Sequence, residues 1–482
     1  MDFLLPSHFL NLPRPDPHDG RQEGVVDTTT LAAHDFDVDT RTGFMPPDPP
    51  LARLPERWEQ WEALLDAAQR EKLQLGKRAG LGEEDKARSE RWRARIRELP
   101  TLGTAELNQS ELLLRRAHHV LAWIMHFYIH SLPPDAEVRI PAPVSVPLLQ
   151  VCVQLQLPPV LTYSDDVLYN WALANPDAAP DALPSLDNLR CLTLFTGTKD
   201  EEEFYLSSAR IELRGVEALE LMRASMDEIF VGDSIAITRL TRYLNALAPV
   251  IDDLTRLLLA VRDGCTPDVF YRDIRPWFNG ADSNAQKWTF EGLDTHPELA
   301  QPSELSGPSA GQSSLVHALD IFLGVGEPAH PTGRYAADAH QLSFLARMQS
   351  YMPRHHRNFL RHLAAAPRPL RAAVEGGADA GLRAAYNAAV GALKRFRDAH
   401  MRIVALYIVG PARRFGNAAG GAENSGARDP AESQSEADRE ARSPLKGTGG
   451  TDLVRFLKGV RDQTAGAIMP AEAGAEAGPS RQ

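Results

Sequence analysis

"RFRDAHMRIVALYI", Arg395 to Ile408, is the stretch on which the reading of the chain turns. Its apolar residues recur at helical spacing. Phe396, Ile403, Val404 and Tyr407 share one face with His400, at its i−4, i+3, i+4 and i+7 positions. A titratable imidazole in the middle of an apolar stripe has two readings. It is a neutral core histidine held by one backbone hydrogen bond, or it is a ligand to a metal or a haem. Neutral imidazole is the commonest protein metal ligand, and a dry helix face suits a porphyrin. The helix alone leaves both open.

Outward from this helix the pattern stays helical. "PERWEQWEALLDAAQREKLQL" starts on Pro55 and places Trp58, Trp61, Leu65 and Ala68 on one stripe. "NQSELLLRRAHHVLAWIMHFYIHSL" reads as a helix stopped by Pro133 and Pro134. Asp233 caps a long periodic run from Ser234 to Arg262, with a kink expected at Pro249. Further helices are expected over Ser313–Val325, His340–Met352, Asn358–Ala366 and Ala380–Arg397. "VPLLQVCVQLQLPPVLTY" is ambiguous: Val151, Val153, Leu155 and Leu157 alternate as in a strand, while Leu148, Cys152 and Leu155 fit a helix. Strand signals are otherwise few and internal repeats absent, so the fold class is mainly α.

At 482 residues the chain can bury a large core or two. Its 52 Lys+Arg against 64 Asp+Glu give a formal net charge of −12, which disfavours nucleic acid and anionic membrane surfaces as partners. The three cysteines, Cys152, Cys191 and Cys265, are far apart and form no CxxC pair. That excludes a disulfide framework and a zinc ribbon and fits a reducing cytoplasm. "MDFLLPSHFLNLPRP" lacks a basic n-region, and no apolar run approaches the ~20 residues of a membrane span, so a cytoplasmic chain with no membrane partner is expected. Nothing in the sequence demands more than a monomer. Arg413–Gly447 holds almost no bulky apolar residues and cannot offset its ordering entropy, so it reads as a disordered loop inserted in the domain.

Four further stretches carry chemistry. "GPSAGQSSLVHALDIFLGV", Gly307 to Val325, is a loop of small residues opening an apolar helix. Such a loop can cradle phosphate, but no strand precedes it and no GK[ST] follows; its small residues also allow a flat ligand to approach the backbone. Asp320 within it needs a cation if buried and none if exposed. "PDVFYRDIRPWFNG", Pro267 to Gly280, spaces Phe270, Tyr271 and Arg275 either as core aromatics with a surface arginine or as a site for an aromatic, carboxylate-bearing ligand. "EEEFYLSSARIELRG" sets Phe204 and Ser208 four residues apart on one face. His119, His126 and His130 share a helix, and His126/His130 form an HxxxH pair without the glutamate of HExxH, beside packing residues Trp123 and Phe127. A GxSxG match at Ser309 lacks the strand context a hydrolase needs.

Together these segments resemble the indoleamine 2,3-dioxygenase family, with a fungal cast. The resemblance covers roughly residues 40–411 and 447–465. It rests on "LPPVLTYSDDVLYNW", "GPSAGQSSLVHALD", "MPRHHRNFLRHL", "DAGLRAAYNAAVGALKRFRDAHMRIVALYIVGPA" and "GTGGTDLVRFLK", in the family's order and spacing. It implies a small N-terminal helical domain packed on a larger haem-binding helical bundle: an extended segment 1–45, a small domain 46–158, the haem domain 159–411, the insert 412–447, an active-site loop and helix 448–469 and a flexible tail 470–482. That favours a helix for Leu148–Leu157. The implied cofactor is haem b, with His400 as proximal iron ligand. Ser309 and Ala310 would pass close to the haem edge, and Asp320 would lie on the proximal side, where Arg397 is its expected partner.

By the same resemblance Tyr163, Val167, Phe204 and Phe270 would wall the indole, Ser208 would sit near its N–H, and Arg275 would pair with the substrate carboxylate. Thr448 of the GTGGT loop would meet the substrate ammonium. Catalytic roles thus fall on Ser208, Phe270 and Arg275. The implied reaction cleaves the indole C2–C3 bond of L-tryptophan with O2 to give N-formylkynurenine, feeding tryptophan catabolism and NAD supply, with an unidentified reductant keeping the iron ferrous. A haem protein on the same scaffold that binds oxygen or senses haem is the alternative. Three positions depart from the family pattern. Pro308 stands where glycine is frequent, Asp166 where a cysteine or another small residue occurs, and Phe278 where an aliphatic residue is expected.

Overall fold

The computed structural model describes residues 36–175, 177, 179, 182–283, 287–325, 345–415 and 453–470. The expectations for most of the first 45 residues, for the greater part of the insert, for Thr448 and for the tail after Pro470 lie outside the described residues.

Helices α1 (Glu59–Arg70), α2 (Glu83–Arg97), α3 (Glu111–His130) and α4 (Ala142–Leu155) open the chain. The stripe read from the sequence is the buried face: Trp58, just before α1, and Trp61, Leu65 and Ala68 on it are all in the core. Every residue of α3 from Arg116 to Ile129 is buried, as expected of a helix apolar nearly all round and packed on every side. Arg116 is tolerated there because its guanidinium meets Glu62 at 2.6 and 2.9 Å. α4 resolves the ambiguous stretch as helix. Val151 and Leu155 are buried while Val153 is 63 % exposed, whereas a strand would have buried all three together.

Strand content is small, as expected. β1 (Val138–Ile140) pairs in parallel with β4 (Trp288–Phe290), Val138 opposite Trp288. Antiparallel β2 (Trp171–Leu173) and β3 (Leu189–Cys191) place Trp171 opposite Cys191.

The later chain forms α5 (Lys199–Arg214), α6 (Val216–Val231), α7 (Ser234–Gly264), α8 (Ser314–Leu323), α9 (Arg354–Ala364), α10 (Leu370–Gly376), α11 (Ala380–Val404) and α12 (Leu453–Gly466). The Asp233 carboxylate caps α7 by accepting from the Ala236 amide at 2.7 Å, and the helix runs on through Pro249. α11 lies along α7, α5 and α6 pack on the same helix, and α12 lies against α11. One hydrophobic core gathers α1–α4 with the aromatic residues of 267–278 and Tyr407, drawing on both sides of residue 158. A second gathers α6–α8 with α9–α11. The backbone beyond α11 stays helical to Phe415, past the expected start of the insert. Phe415 stacks on Tyr271 at 6.2 Å and Arg414 pairs with Asp268, which gives those residues a reason to be ordered.

Candidate active site

A cavity of about 280 Å³ opens between α5, the loop before α8, α11 and α12. Three π-helical turns edge it or pack just behind its wall: Ser164–Leu168, Phe270–Ile274 and Ala405–Val409. A π turn inserts one residue into helical winding and re-aims the side chains around it, which is why such turns gather at functional sites.

α11 contributes His400, and Phe396, Ile403, Val404 and Tyr407 line the same cavity, so the apolar stripe faces a hollow and not a packed neighbour. The imidazole is half-buried, its exposed part turned to the cavity. Burial first, and the Arg397 charge second, push its pKa down to about 4, so it is a neutral base at physiological pH. Among the described residues it has no hydrogen-bond partner, so the reading of a core histidine held by a backbone bond does not apply. No group of three or more His, Cys, Asp or Glu among the described residues could hold a bare metal ion. A lone neutral imidazole in an apolar slot suits a metal that brings its own equatorial ligands, which is what haem does.

Asp320, on α8, accepts from Arg397 Nη2 through both oxygens, at 2.5 and 2.6 Å. The same guanidinium donates through Nη1 to the Val460 carbonyl at 3.4 Å and to the Thr464 hydroxyl. The pairing expected from the sequence is therefore present, and it ties α8, α11 and α12 together one turn before His400. Ser309 and Ala310 line the cavity; the Ser309 hydroxyl accepts from the Gly311 amide at 3.2 Å, fixing the turn. Backbones meet closely here: a Cβ on Gly307 would fall 1.8 Å from the Phe278 carbonyl oxygen, so the position requires glycine.

Facing these are Tyr163, just before the first π turn, Val167 on that turn, and Phe204 and Ser208 from α5, all on the cavity wall. Phe270 and Arg275 are not on that wall. Phe270 is buried one ring behind it, 4.6 Å from Phe204 and 5.7 Å from Tyr407, centroid to centroid. Phe278, the bulky departure, takes a wall position instead and stacks on Phe204 at 5.9 Å. The half-buried Arg275 guanidinium lies 5.7 Å from the Tyr271 ring centroid, and burial lowers its pKa.

Several wall residues escaped the sequence reading. Tyr205 and His317 line the cavity, as do Phe456, Leu457 and Val460 of α12. Glu212 stands just behind: its Oε1 accepts from the Tyr163 hydroxyl at 2.9 Å and from Ser313 at 2.7 Å. The continuation of Phe204 and Ser208 by four residues would have pointed to it. Burial pushes its carboxyl from an ordinary 4.5 up to about 7. A raised carboxyl pKa contributes stability that is fully present below the unfolded value and lost as pH rises through the folded one. Between about pH 4.5 and 7 this one group should cost the fold about 3 kcal/mol. Denaturant unfolding at pH 5, 6, 7 and 8 is expected to show Glu212→Gln losing about that much less stability than the native chain; parallel curves would refute the assignment.

Asp166, on the same π turn, is 4 % exposed, lines the cavity, and its Oδ1 meets no hydrogen-bond partner among the described residues. The histidine trio of α3 is structural. His126 Nδ1 lies 2.8 Å from the Trp277 carbonyl while its Nε2 accepts from the Leu161 amide at 3.2 Å, so both nitrogens are used. His130 Nε2 meets the Asn279 carbonyl at 3.0 Å and His119 Nε2 the Thr193 hydroxyl at 2.9 Å. His126 and His130 thereby hold the turn that carries Phe278.

A family model described as "Indoleamine 2,3-dioxygenase" matches residues 32–467. An indoleamine 2,3-dioxygenase 1 of Rattus norvegicus is 31% identical over 437 residues, covering 90% of this chain and 95% of the rat protein. One from Saccharomyces cerevisiae is 34% identical over 363 residues, 73% of this chain and 77% of its own. A third, from Aspergillus candidus, is 31% identical over 451 residues, 92% of this chain and all of the relative. The match spans nearly every described element, including both walls of the cavity that His400 faces, and the chain belongs to the indoleamine 2,3-dioxygenase family.

Proposed function

We propose that this protein is a haem-dependent dioxygenase that cleaves the indole C2–C3 bond of L-tryptophan with O2, giving N-formylkynurenine. The observation that carries the reading is His400: a neutral imidazole with no hydrogen-bond partner among the described residues, on the wall of an apolar cavity whose other wall is an aromatic slot. His400 would hold the haem iron, with Ser309, Ala310 and the Asp320–Arg397 pair around it. Haem bound there supplies the iron that activates O2.

The chain's own residues do the rest. Phe204 and Phe278 present aromatic faces that fix the plane of an indole, with Tyr163 and Val167 closing the inner end. Phe270 backs Phe204 and stiffens that wall. Ser208 offers a hydroxyl toward the indole N–H. The resemblance gives the substrate carboxylate to Arg275, which lies off the cavity wall and would have to turn toward it; its partial desolvation would strengthen a charge-assisted contact. The ammonium is the group the resemblance leaves to Thr448, which lies outside the described residues. The apolar lining excludes water from the reacting atoms. α1–α4 form the smaller lobe and the later helices the larger. The enzyme is expected to act as a cytoplasmic monomer supplied by a separate reductant.

The test is to reduce the haem-loaded protein, add L-tryptophan in air-saturated buffer and follow N-formylkynurenine. Sustained product is expected, and a stable oxygen-bound spectrum without product would overturn the reading. Arg275→Ala should keep its haem and lose roughly ten- to hundredfold in kcat/KM, the worth of one charge-assisted hydrogen bond.

A further inference from the structure

Buried acids are costly unless paired. Among the described residues the acids near the inner end of the cavity each accept at least one hydrogen bond, Glu212 through Oε1 while its Oε2 stays bare, and Asp166 is the exception. Asp165 accepts from Thr162 at 2.7 and 2.9 Å and lies 2.8 Å from His118 Nδ1. Glu201 accepts from the Phe195 and Thr196 amides, both at 2.7 Å, and from the Tyr205 hydroxyl at 3.3 Å. Asp166 stands between them, more than nine-tenths buried, with Oδ1 unsatisfied among the described residues and its side chain on the cavity surface. Burial, then repulsion by Asp165 and Glu201, raises its carboxyl well above the usual carboxylate range. A neutral carboxylic acid both donates and accepts one hydrogen bond. Among the described residues nothing is hydrogen-bonded to its Oδ1.

The walls around Asp166 are Tyr163, Val167, Phe204 and Tyr205, which is the aromatic end of the cavity. On the functional reading given above, Ser208 takes the indole N–H and Arg275 the carboxylate, so the group left for Asp166 is an edge of the indole's benzene half. Tryptophan carries only C–H bonds there. Burying Asp166 against them strands a polar group, whereas a ring hydroxyl satisfies it in both directions.

We propose that Asp166 is a specificity-determining residue whose carboxyl hydrogen-bonds a hydroxyl on the benzene ring of the substrate, so that the enzyme prefers ring-hydroxylated tryptophan to tryptophan. The inference rests on the dioxygenase reading and refines its substrate class.

The experiment measures kcat/KM and calorimetric dissociation constants for L-tryptophan, 5-hydroxy-L-tryptophan and 6-hydroxy-L-tryptophan. The proteins are haem-loaded native enzyme, Asp166→Asn and Asp166→Leu. Native enzyme is expected to bind and turn over at least one hydroxylated substrate about tenfold or more better than tryptophan, the size of one buried hydrogen bond. Asp166→Leu replaces an unpaired buried acid by an apolar side chain, which favours folding, and it should invert the preference. Asp166→Asn keeps a donor and an acceptor and should retain part of it. Hydroxyl groups also make an indole more electron-rich, so the dissociation constants and the change of ratio on substitution decide. A native ratio near one in both quantities, or an Asp166→Leu protein in which all three substrates move together, overturns the assignment while leaving tryptophan dioxygenation intact. Failure of all three substrates to react would overturn the dioxygenase reading and this inference with it.

Discussion

The His400→Ala protein is expected to purify folded and helical but without haem. Alanine is the best helix former, so the substitution does not weaken α11 locally. Nor does it orphan a hydrogen-bonded group, since the imidazole has no partner among the described residues. What it removes is the neutral nitrogen that burial has prepared as an iron ligand. Losing even an outer partner of a metal ligand typically costs about 10–100-fold in metal affinity, and losing the ligand itself must exceed that. Soret absorbance per mole of protein should therefore fall by more than tenfold while the far-ultraviolet circular dichroism is unchanged. Added imidazole, small enough for the vacated space, should recover part of the Soret band. Full haem content with normal turnover in the variant would sink the ligand assignment.

Much of this arrangement was legible before any coordinates, for physical reasons that differ by element. The helix around His400 could be read because its α-helical period holds from Ala380 to Val404 before the π turn, and its apolar stripe proved to be the cavity wall. The ion pair Asp320–Arg397 could be anticipated because a carboxylate in so apolar a helix requires a cation. α4 could not be settled by pattern, since a short apolar run satisfies both periods; packing settled it by leaving Val153 outside. The inner end of the site was harder still. Phe270 and Phe278 lie eight residues apart across a π turn, so which of them reaches the wall depends on winding that no periodicity encodes. Glu212 was hidden because a carboxylate on a mixed helix reads as solvent-facing until its hydroxyl partners arrive from 49 and 101 residues away in sequence. Resemblance supplied the roles of Arg275 and Thr448, which spacing alone does not reach.

Arg397 is where the proximal architecture is most exposed to a single change. Arg397→Met should destabilise the fold by about 3–5 kcal/mol, because it strands the Asp320 carboxylate in a buried setting. It also removes the contacts to Val460 and Thr464, so α12 should loosen from α11. Asp320→Leu should cost less, since Arg397 keeps its partners on α12. The double variant should then be more stable than the sum of the two losses predicts, with a coupling of about 0.5–3 kcal/mol measurable by denaturant unfolding. Haem retention gives the second readout. Because Arg397 precedes His400 by one turn, a free α11 presents the imidazole less rigidly, and both single variants should release haem to apomyoglobin faster than the native protein. The exchanged pair, Asp320→Arg with Arg397→Asp, restores attraction between α8 and α11 but not the bonds to α12. It should hold haem better than either single exchange and less well than the native chain. An exchanged protein no better than the singles would show that the pair acts only by filling space, and the proximal helix would then owe its position to its apolar contacts with α7.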